Sequence, residues 1–294
     1  MAALAKLSDR ATSEQELVAN CKILQDECSK GLAEKVMATK HNGYPLLLEV
    51  ALRFDELPVA YIAAVEALSA LLAANPDPFD EKGFGLILHC LEQESEPAAV
   101  SAGLSLTHAV CVRHEINRQN LVKNGLLDRL DKVFDSHTAQ VSGIWFSLVQ
   151  DDDVRVPFGK AHDTARDIVE NHGALEKLAA ALKDGEADKL ALMTSLRSLT
   201  VRNEYCQKLA DVGMLDLVFD LLSEEPRLGA HLIKEALLLL KTMAGNDNIK
   251  NDIRQSQRIG VIVPLLSAHI VSLSLNTLKF WLTCTLHMSS PWLA

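Results

Sequence analysis

The sequence predicts an all-α chain, a solenoid of stacked three-helix repeats each about forty residues long. Two observations carry this expectation. A glycine followed by an apolar helical stripe recurs at Gly43, Gly83, Gly125, Gly173, Gly213 and Gly260, at intervals of 40, 42, 48, 40 and 47 residues. Leu and Ala abound while aromatics make up only 5% of the chain, a mix that favours helices over sandwiches and barrels.

Residues 1–40 read as an N-terminal helical cap region, 41–270 as the repeat array, and 271–294 as an irregular apolar tail, a truncated repeat. Within the array, Asn117-Arg118-Gln119-Asn120 leads to Leu121 and Gly125, Asn203-Glu204-Tyr205-Cys206 to Leu209 and Gly213, and Asn248-Ile249-Lys250 toward Gly260. Asn at such a point is expected to cap a helix by accepting an orphaned backbone N–H. The glycine should then end that helix, because it adopts a positive φ without steric cost. Upstream lies a further apolar helix, as in 192–201 and 236–244, so each unit reads as three helices with the last opening just after the glycine. The fifth residue after each glycine is apolar (Leu48, Leu88, Leu130, Leu178, Val218 and Leu265), and the second is apolar or small. That spacing places one apolar stripe on a helix and leaves the other face wet. No unit can bury its stripe alone. With about four apolar side chains at about 1.5–3 kcal/mol each when fully buried, stacking on neighbours contributes several kcal/mol.

Composition narrows the function. Apolar residues are 48% and charged residues 23%, which excludes a disordered chain. Length alone suggests two ordinary domains of about 150 residues, a count that a repeat array voids. With 29 Lys+Arg against 39 Asp+Glu, the formal charge is −10, and there is no basic surplus to displace counterions from nucleic acid. Cys21, Cys28, Cys90, Cys111, Cys206 and Cys284 are scattered without zinc-ligand spacing, as expected of core thiols in a reducing compartment. The charged N-terminus does not read as a signal peptide, and no Asn-x-Ser/Thr acceptor occurs. Cytoplasmic placement is expected, with the nucleus as a further compartment. The apolar run Val261 to Leu286 is long enough to span a bilayer. It nonetheless contains Pro264, His269, Asn276 and Lys279, and its first half follows the repeat register, so a packed helix is the preferred reading.

The segment Asn203-x-x-Cys206-x-x-Leu209-x-x-x-Gly213-x-Leu215-x-x-Val218-x-x-Leu221-Leu222 resembles an armadillo repeat. Residues 148–162, running from Leu148-Val149-Gln150-Asp151-Asp152-Asp153 to Lys160-Ala161-His162, resemble a segment of the armadillo repeat-containing protein six family, as does Ala244-Gly245-Asn246-Asp247-Asn248. The resemblance implies an armadillo-like right-handed superhelical solenoid, an intracellular scaffold without enzymatic chemistry. The family is longer at both ends. Here the register dissolves after about Ser267, and the tail from Phe280 fits no repeat, as a truncated gene model would leave it.

The resemblance also implies a concave groove, lined by the third helices, that receives extended peptides. Import receptors of the fold clamp such peptides with ladders of Asn and Trp. Aligned on Leu196-Arg197-Ser198-Leu199, the Asn position here holds Ala70, His108, Ser147, Ser198 and Thr242, so amide clamping is missing. His108, Ser198 and Thr242 are candidate donors to a partner, or simply face water or a neighbouring carbonyl. The third residue after each glycine is expected to face the groove: Leu46, Leu86, Asp128, Glu176, Asp216 and Val263, with Asp220 one turn beyond Asp216. The acidic middle repeats would favour a basic segment or else form a solvated face, and the apolar ends would suit an amphipathic helix.

The long 48-residue interval holds a surplus matching Asp151 to Gly159, where Pro157 and Gly159 predict a loop. Its carboxylates, with Arg155, Lys160 and His162, suggest salt bridging to the adjacent repeat first, partner contact by Arg155 and Lys160 second, and metal third. Calcium-loop spacing and a phosphate-cradling glycine loop are both missing. Trp145, two turns upstream, is expected in the core rather than at a binding hot spot. No nucleophile elbow, His-Glu-x-x-His or phosphate loop occurs. The expected function is therefore a non-enzymatic protein-interaction scaffold without cofactor or metal, binding a basic or amphipathic protein segment and neither nucleic acid nor membrane. The alternative is a transport or import-type adaptor for basic cargo peptides.

Overall fold

The computed structural model describes residues 2–9, 11–185, 188–224, 229–256 and 258–268, and among them every regular element is an α-helix. The 271–294 tail lies outside the described residues, as does Cys284. The chain divides into two units, Met1–Thr164 and Ala165–Ala294.

Helix starts in the first unit follow local chemistry. After α1 (Ala2–Leu7), α2 (Glu14–Ser29) opens with a capping box in which Ser13 accepts from the Glu16 N–H while Glu16 reaches back to the Ser13 N–H. Next come α3 (Leu32–Lys40), α4 (Gly43–Ala51), α5 (Pro58–Leu72), α6 (Glu81–Glu92) and α7 (Pro97–Cys111). Pro58 and Pro97 occupy the first turn, where a missing N–H costs no hydrogen bond. Asp80 caps α6 through the Gly83 N–H at 3.1 Å. The unit continues with α8 (Glu115–Lys123), α9 (Leu126–Val133) and α10 (Thr138–Leu148).

The helices sort into layers by how their apolar residues are distributed. Helices α2, α5, α7 and α10 pack each on the next, and α4, α6 and α9 form a second layer beside them. α5 and α7 are apolar nearly all round, and Ala60, Ala64, Val65, Leu68 and Leu71 are sealed between neighbours. By contrast α9 buries Leu126, Leu127, Leu130 and Val133 and leaves Asp128 and Lys132 wet. Trp145 on α10 is fully buried and stacks on Phe134 at 5.1 Å, so it belongs to the core.

The second unit repeats the plan with α11 (Ala161–Glu170, whose residues from Ala165 belong here), α12 (Ala174–Asp184), α13 (Lys189–Leu199), α14 (Asn203–Asp211), α15 (Met214–Ser223), α16 (Ala230–Met243), α17 (Asp247–Gln255) and α18 (Ile259–Ala268). The long helices α13 and α16 stack, as do α15 and α18. In both units side-chain hydrogen bonds join residues one repeat apart. Tyr44 donates to Asp80 at 2.7 Å, Arg129 to Glu92 at 2.9 Å, Tyr205 to Glu170 at 2.8 Å and Arg197 to Glu235 at 2.7 Å, across 36, 37, 35 and 38 residues respectively.

Two expectations are corrected by this geometry. Gly125, Gly173 and Gly213 do sit in the left-handed region before a helix, with φ of 83°, 60° and 77°. In the first repeat that conformation belongs to Asn42, at φ 60°, and Gly43 already opens α4. Gly83 lies inside α6, where an added Cβ would meet the Phe79 ring at 2.4 Å, so close packing rather than φ demands glycine there. Both glycines thus stand one residue late in the register. Matched by burial, the positions equivalent to Asp128 are the exposed Pro45 and Gly85, not Leu46 and Leu86. Leu86 is 1% exposed and belongs to the core. The asparagine caps are also displaced: His114 caps α8 through the Asn117 N–H, and Asn246 caps α17 through the Asn248 N–H.

Candidate functional site

The stacking of α5, α7 and α10 leaves a groove of about 420 Å³ lined by Ser69, Ala73, Ser105, His108, Gln140 and Gly143, with Leu104 and Ala109 beneath. Small residues make the groove, because each long helix must approach the next closely and side chains of one to three atoms leave space above the contact. At Gly143 an added Cβ would meet nothing within 4 Å. Gln140 bridges the helices by donating to the Ser101 carbonyl at 3.3 Å. His108 stands open to solvent on this face, yet the groove walls withhold enough water to hold its pKa below the ordinary imidazole value. It is therefore largely neutral at pH 7, able to donate from one ring nitrogen and accept at the other.

The other ladder positions are less available. Ser198 on α13 is half-buried and donates to the Thr194 carbonyl at 3.0 Å, Ser147 to Gly143 at 3.0 Å, and Thr242 to Leu238 at 3.0 Å. Each hydroxyl thus satisfies itself on the preceding turn of its own helix.

The acidic positions occupy the second kind of layer. Asp128 is exposed on α9, whereas His108 lies on α7 in the long-helix layer, so the two do not share a groove. In the second unit Glu176 on α12 and Asp216 and Asp220 on α15 are all exposed. Two of these have cations within the unit: Arg258 lies 2.6 Å from Asp216 and Lys208 4.0 Å from Glu176.

The 149–160 loop is tied to the preceding repeat by buried charge. The Arg118 guanidinium donates to the Cys111 and Gln150 carbonyls, both at 2.6 Å, and to Asp152, and lies 3.6 Å from Glu115. Glu115 accepts from the Lys160 N–H at 2.7 Å and from Gln119 at 2.8 Å. The Asp153 carboxylate accepts from the Glu115 N–H at 2.9 Å and from Arg155 Nε at 2.9 Å. Arg155 hydrogen bonds, helped by the Glu115 N–H, hold Asp153 far below the usual carboxylate range despite a desolvation penalty. Arg155 also reaches Asp77 at 2.6 Å, and His114 lies 3.3 Å from the same carboxylate. Arg155 is thus engaged within the unit, while the exposed Lys160 side chain approaches Asp163 at 3.3 Å. Asp152 and Asp153 diverge, Asp152 toward Arg118 and Asp153 toward Glu115 and Arg155, instead of converging on one point. Arg118, three residues before the buried Leu121, puts a charge on the apolar face of α8, a signal that marks the residue in the sequence without naming its partners.

Comparison with known proteins settles the family. The ARMC6 family model matches residues 4–291. The chain belongs to the ARMC6 family. Armadillo repeat-containing protein 6 of Homo sapiens is 31% identical over 278 residues, which cover 88% of this chain and 55% of that protein. The Drosophila melanogaster homolog is 33% identical over 267 residues, covering 86% and 56%. This ARMC6-family chain therefore spans about half the length of the relatives it matches. Among solved structures, a designed armadillo repeat protein superposes with a TM-score of 0.68 at 16% identity, over 82% of this chain and 98% of that one. A chain from the structure describing a phosphorylation switch in the cadherin and beta-catenin interaction superposes at 0.72 with 15% identity, over 98% and 59%. A designed armadillo protein in complex with the peptide (KR)4 gives 0.63 at 16% identity, over 82% and 98%. The ARMC6-family fold is armadillo-like. No helix among the described residues is long and apolar enough to cross a membrane.

Proposed function

We propose that this chain is a non-enzymatic protein-interaction scaffold that holds an amphipathic partner segment in the groove across α5, α7 and α10. The observation that carries the reading is the groove itself, whose floor is small and apolar and whose polar atoms, at Ser69, Ser105, His108 and Gln140, are spaced along it. Solved neighbours of the same fold, described with cadherin and with a (KR)4 peptide, support peptide capture as the mode of use. A cytoplasmic setting, with the nucleus as a further compartment, goes with this proposal. The buried free thiols Cys21, Cys90 and Cys111, each pushed up to about 12 by desolvation, suit a reducing compartment.

A basic cargo would instead use Asp128, Glu176, Asp216 and Asp220. Those carboxylates are exposed, but Lys208 and Arg258 already offset two of them. The two readings separate in one experiment, proximity labelling in cells with the native chain, Gly143→Leu, and a triple variant carrying Asp128→Lys, Glu176→Lys and Asp216→Lys. Filling the groove at Gly143 should remove partners while stabilising α10 by about 0.5–1 kcal/mol through helix propensity. The triple variant should keep the same partners. If Gly143→Leu labels the native set, or the triple variant loses it, the groove is not the binding surface.

A further inference from the structure

We propose that the loop between α10 and α11 is a second, preorganised docking element, which inserts Phe158 and Val154 into an apolar pocket with a basic rim on a folded protein partner. Val154 is 99% exposed and Phe158 89% exposed, while the next most exposed large apolar side chain among the described residues, Val59, reaches only 60%. A mobile loop could carry such residues without consequence. This loop is fastened on both sides of its tip.

The fastening uses groups that are costly to remove from water. The Arg118 and Asp153 side chains are each 3% exposed and that of Glu115 is 5% exposed. Through them the loop backbone is held at Gln150, at Arg155 and at Lys160, whose N–H groups and carbonyl meet charged partners at 2.6–3.1 Å. Pro157 fixes its own φ between these points. At Gly159 the backbone passes so close that an added Cβ would lie 3.2 Å from the Glu115 carboxyl carbon and 3.1 Å from Asp151 Oδ1. Burying several charges contributes little net stability to a fold. Its effect here is to remove the conformational freedom of the tip before any partner arrives, the entropy that otherwise weakens binding by a loop. A fixed aromatic with its whole ring in water is the form that interface anchors take.

Charge identifies the partner's chemistry. With both members of every ion pair counted, the loop and its anchors carry five carboxylates (Asp77, Glu115, Asp151, Asp152 and Asp153) against three cations (Arg118, Arg155 and the exposed Lys160), and Asp77 and Asp151 face solvent. Arg155 is already committed to Asp153 and Asp77. The field at Phe158 is therefore negative, complementary to Lys or Arg at the edge of the receiving pocket and unfavourable for an anionic lipid surface.

The test places a photo-crosslinking benzoylphenylalanine at position 158 of the full chain, with a control at position 59, in cell extract, and maps crosslinked peptides by mass spectrometry. The protein so identified is then purified and its Kd measured against the native chain, Phe158→Asp, Val154→Asp and Gly143→Leu. The expected result is a crosslink to an apolar segment bordered by Lys or Arg, with Phe158→Asp weakening binding at least about tenfold at an unchanged urea midpoint, and with Gly143→Leu binding as the native chain does. The proposal is overturned if position 158 crosslinks no more than position 59, or only to another copy of this chain, or if Phe158→Asp stays within about twofold of native. Equal weakening by Gly143→Leu would return the contact to the groove and also overturn it.

Discussion

Replacing Arg118 with Met keeps an unbranched apolar stem and removes the guanidinium, so it probes the buried charge of the loop anchor. Three donor contacts disappear: those to the Cys111 and Gln150 carbonyls, both at 2.6 Å, and that to Asp152. Asp152 is partly exposed and rehydrates at little cost. The two carbonyls lose a charged donor in a site water reaches poorly, at about 1–3 kcal/mol each. Glu115, 3.6 Å from Arg118, loses that cation but keeps Gln119 and the Lys160 N–H. A loss of about 3–4 kcal/mol follows, inside the range for breaking a buried pair. Urea unfolding at pH 7 measures it, with hydrogen exchange over residues 110–125 and 148–160 to show that the weakening is local. Adding Glu115→Gln should recover part of the loss, since the carboxylate left behind no longer carries an unpaired charge. A loss below about 1 kcal/mol, or a double variant weaker than Arg118→Met alone, would refute the claim that buried charge fastens this loop.

Three further substitutions have outcomes set by their local geometry. Asp153→Asn should cost about 1–2 kcal/mol at neutral pH, a figure reduced for the half-exposed Arg155 that holds it. Because the folded carboxyl titrates below its unfolded value of about 3.9, that contribution is complete above this pH and declines as the pH falls further. Urea midpoints across pH should therefore show the native and Asn chains converging only below about pH 4; convergence already at pH 6 would contradict the assignment. Gly125→Ala, at φ 83° and with Arg129 Nη1 2.9 Å from the new Cβ, should lower stability by about 1–2 kcal/mol. Gly85→Ala, on the open face of α6, should raise it by about 0.5–1 kcal/mol. Thermal unfolding of the pair tests both signs.

Helix periods, the glycine-led register and the buried place of Trp145 were legible in the sequence because burial leaves few solutions to an apolar stripe of period 3.6. Asn42 shows where that legibility stops. A left-handed position accepts Asn as well as Gly, so counting from Gly43 shifts the frame by one residue; Gly83, demanded by close packing on Phe79 rather than by φ, shifts it likewise and makes the core residue Leu86 look like a surface position. The identity of the groove-bearing layer was hidden for a different reason. α5 and α7 are apolar nearly all round, and periodicity within one helix does not say which side its neighbours leave uncovered. Arg118 was visible as a charge on an apolar face. Its acceptor Asp152 lies 34 residues away, a pairing that only the stacking of one repeat on the next reveals.

The central claim is that partners bind on the layer formed by α5, α7 and α10. Its most direct test is hydrogen exchange of the full chain with and without a purified partner recovered by the labelling experiment. Slowed exchange should appear in peptides covering 66–74, 102–110 and 138–144, with α4, α6 and α9 unchanged. Slowed exchange confined to α4, α6 and α9, with those three segments unaffected, would contradict it.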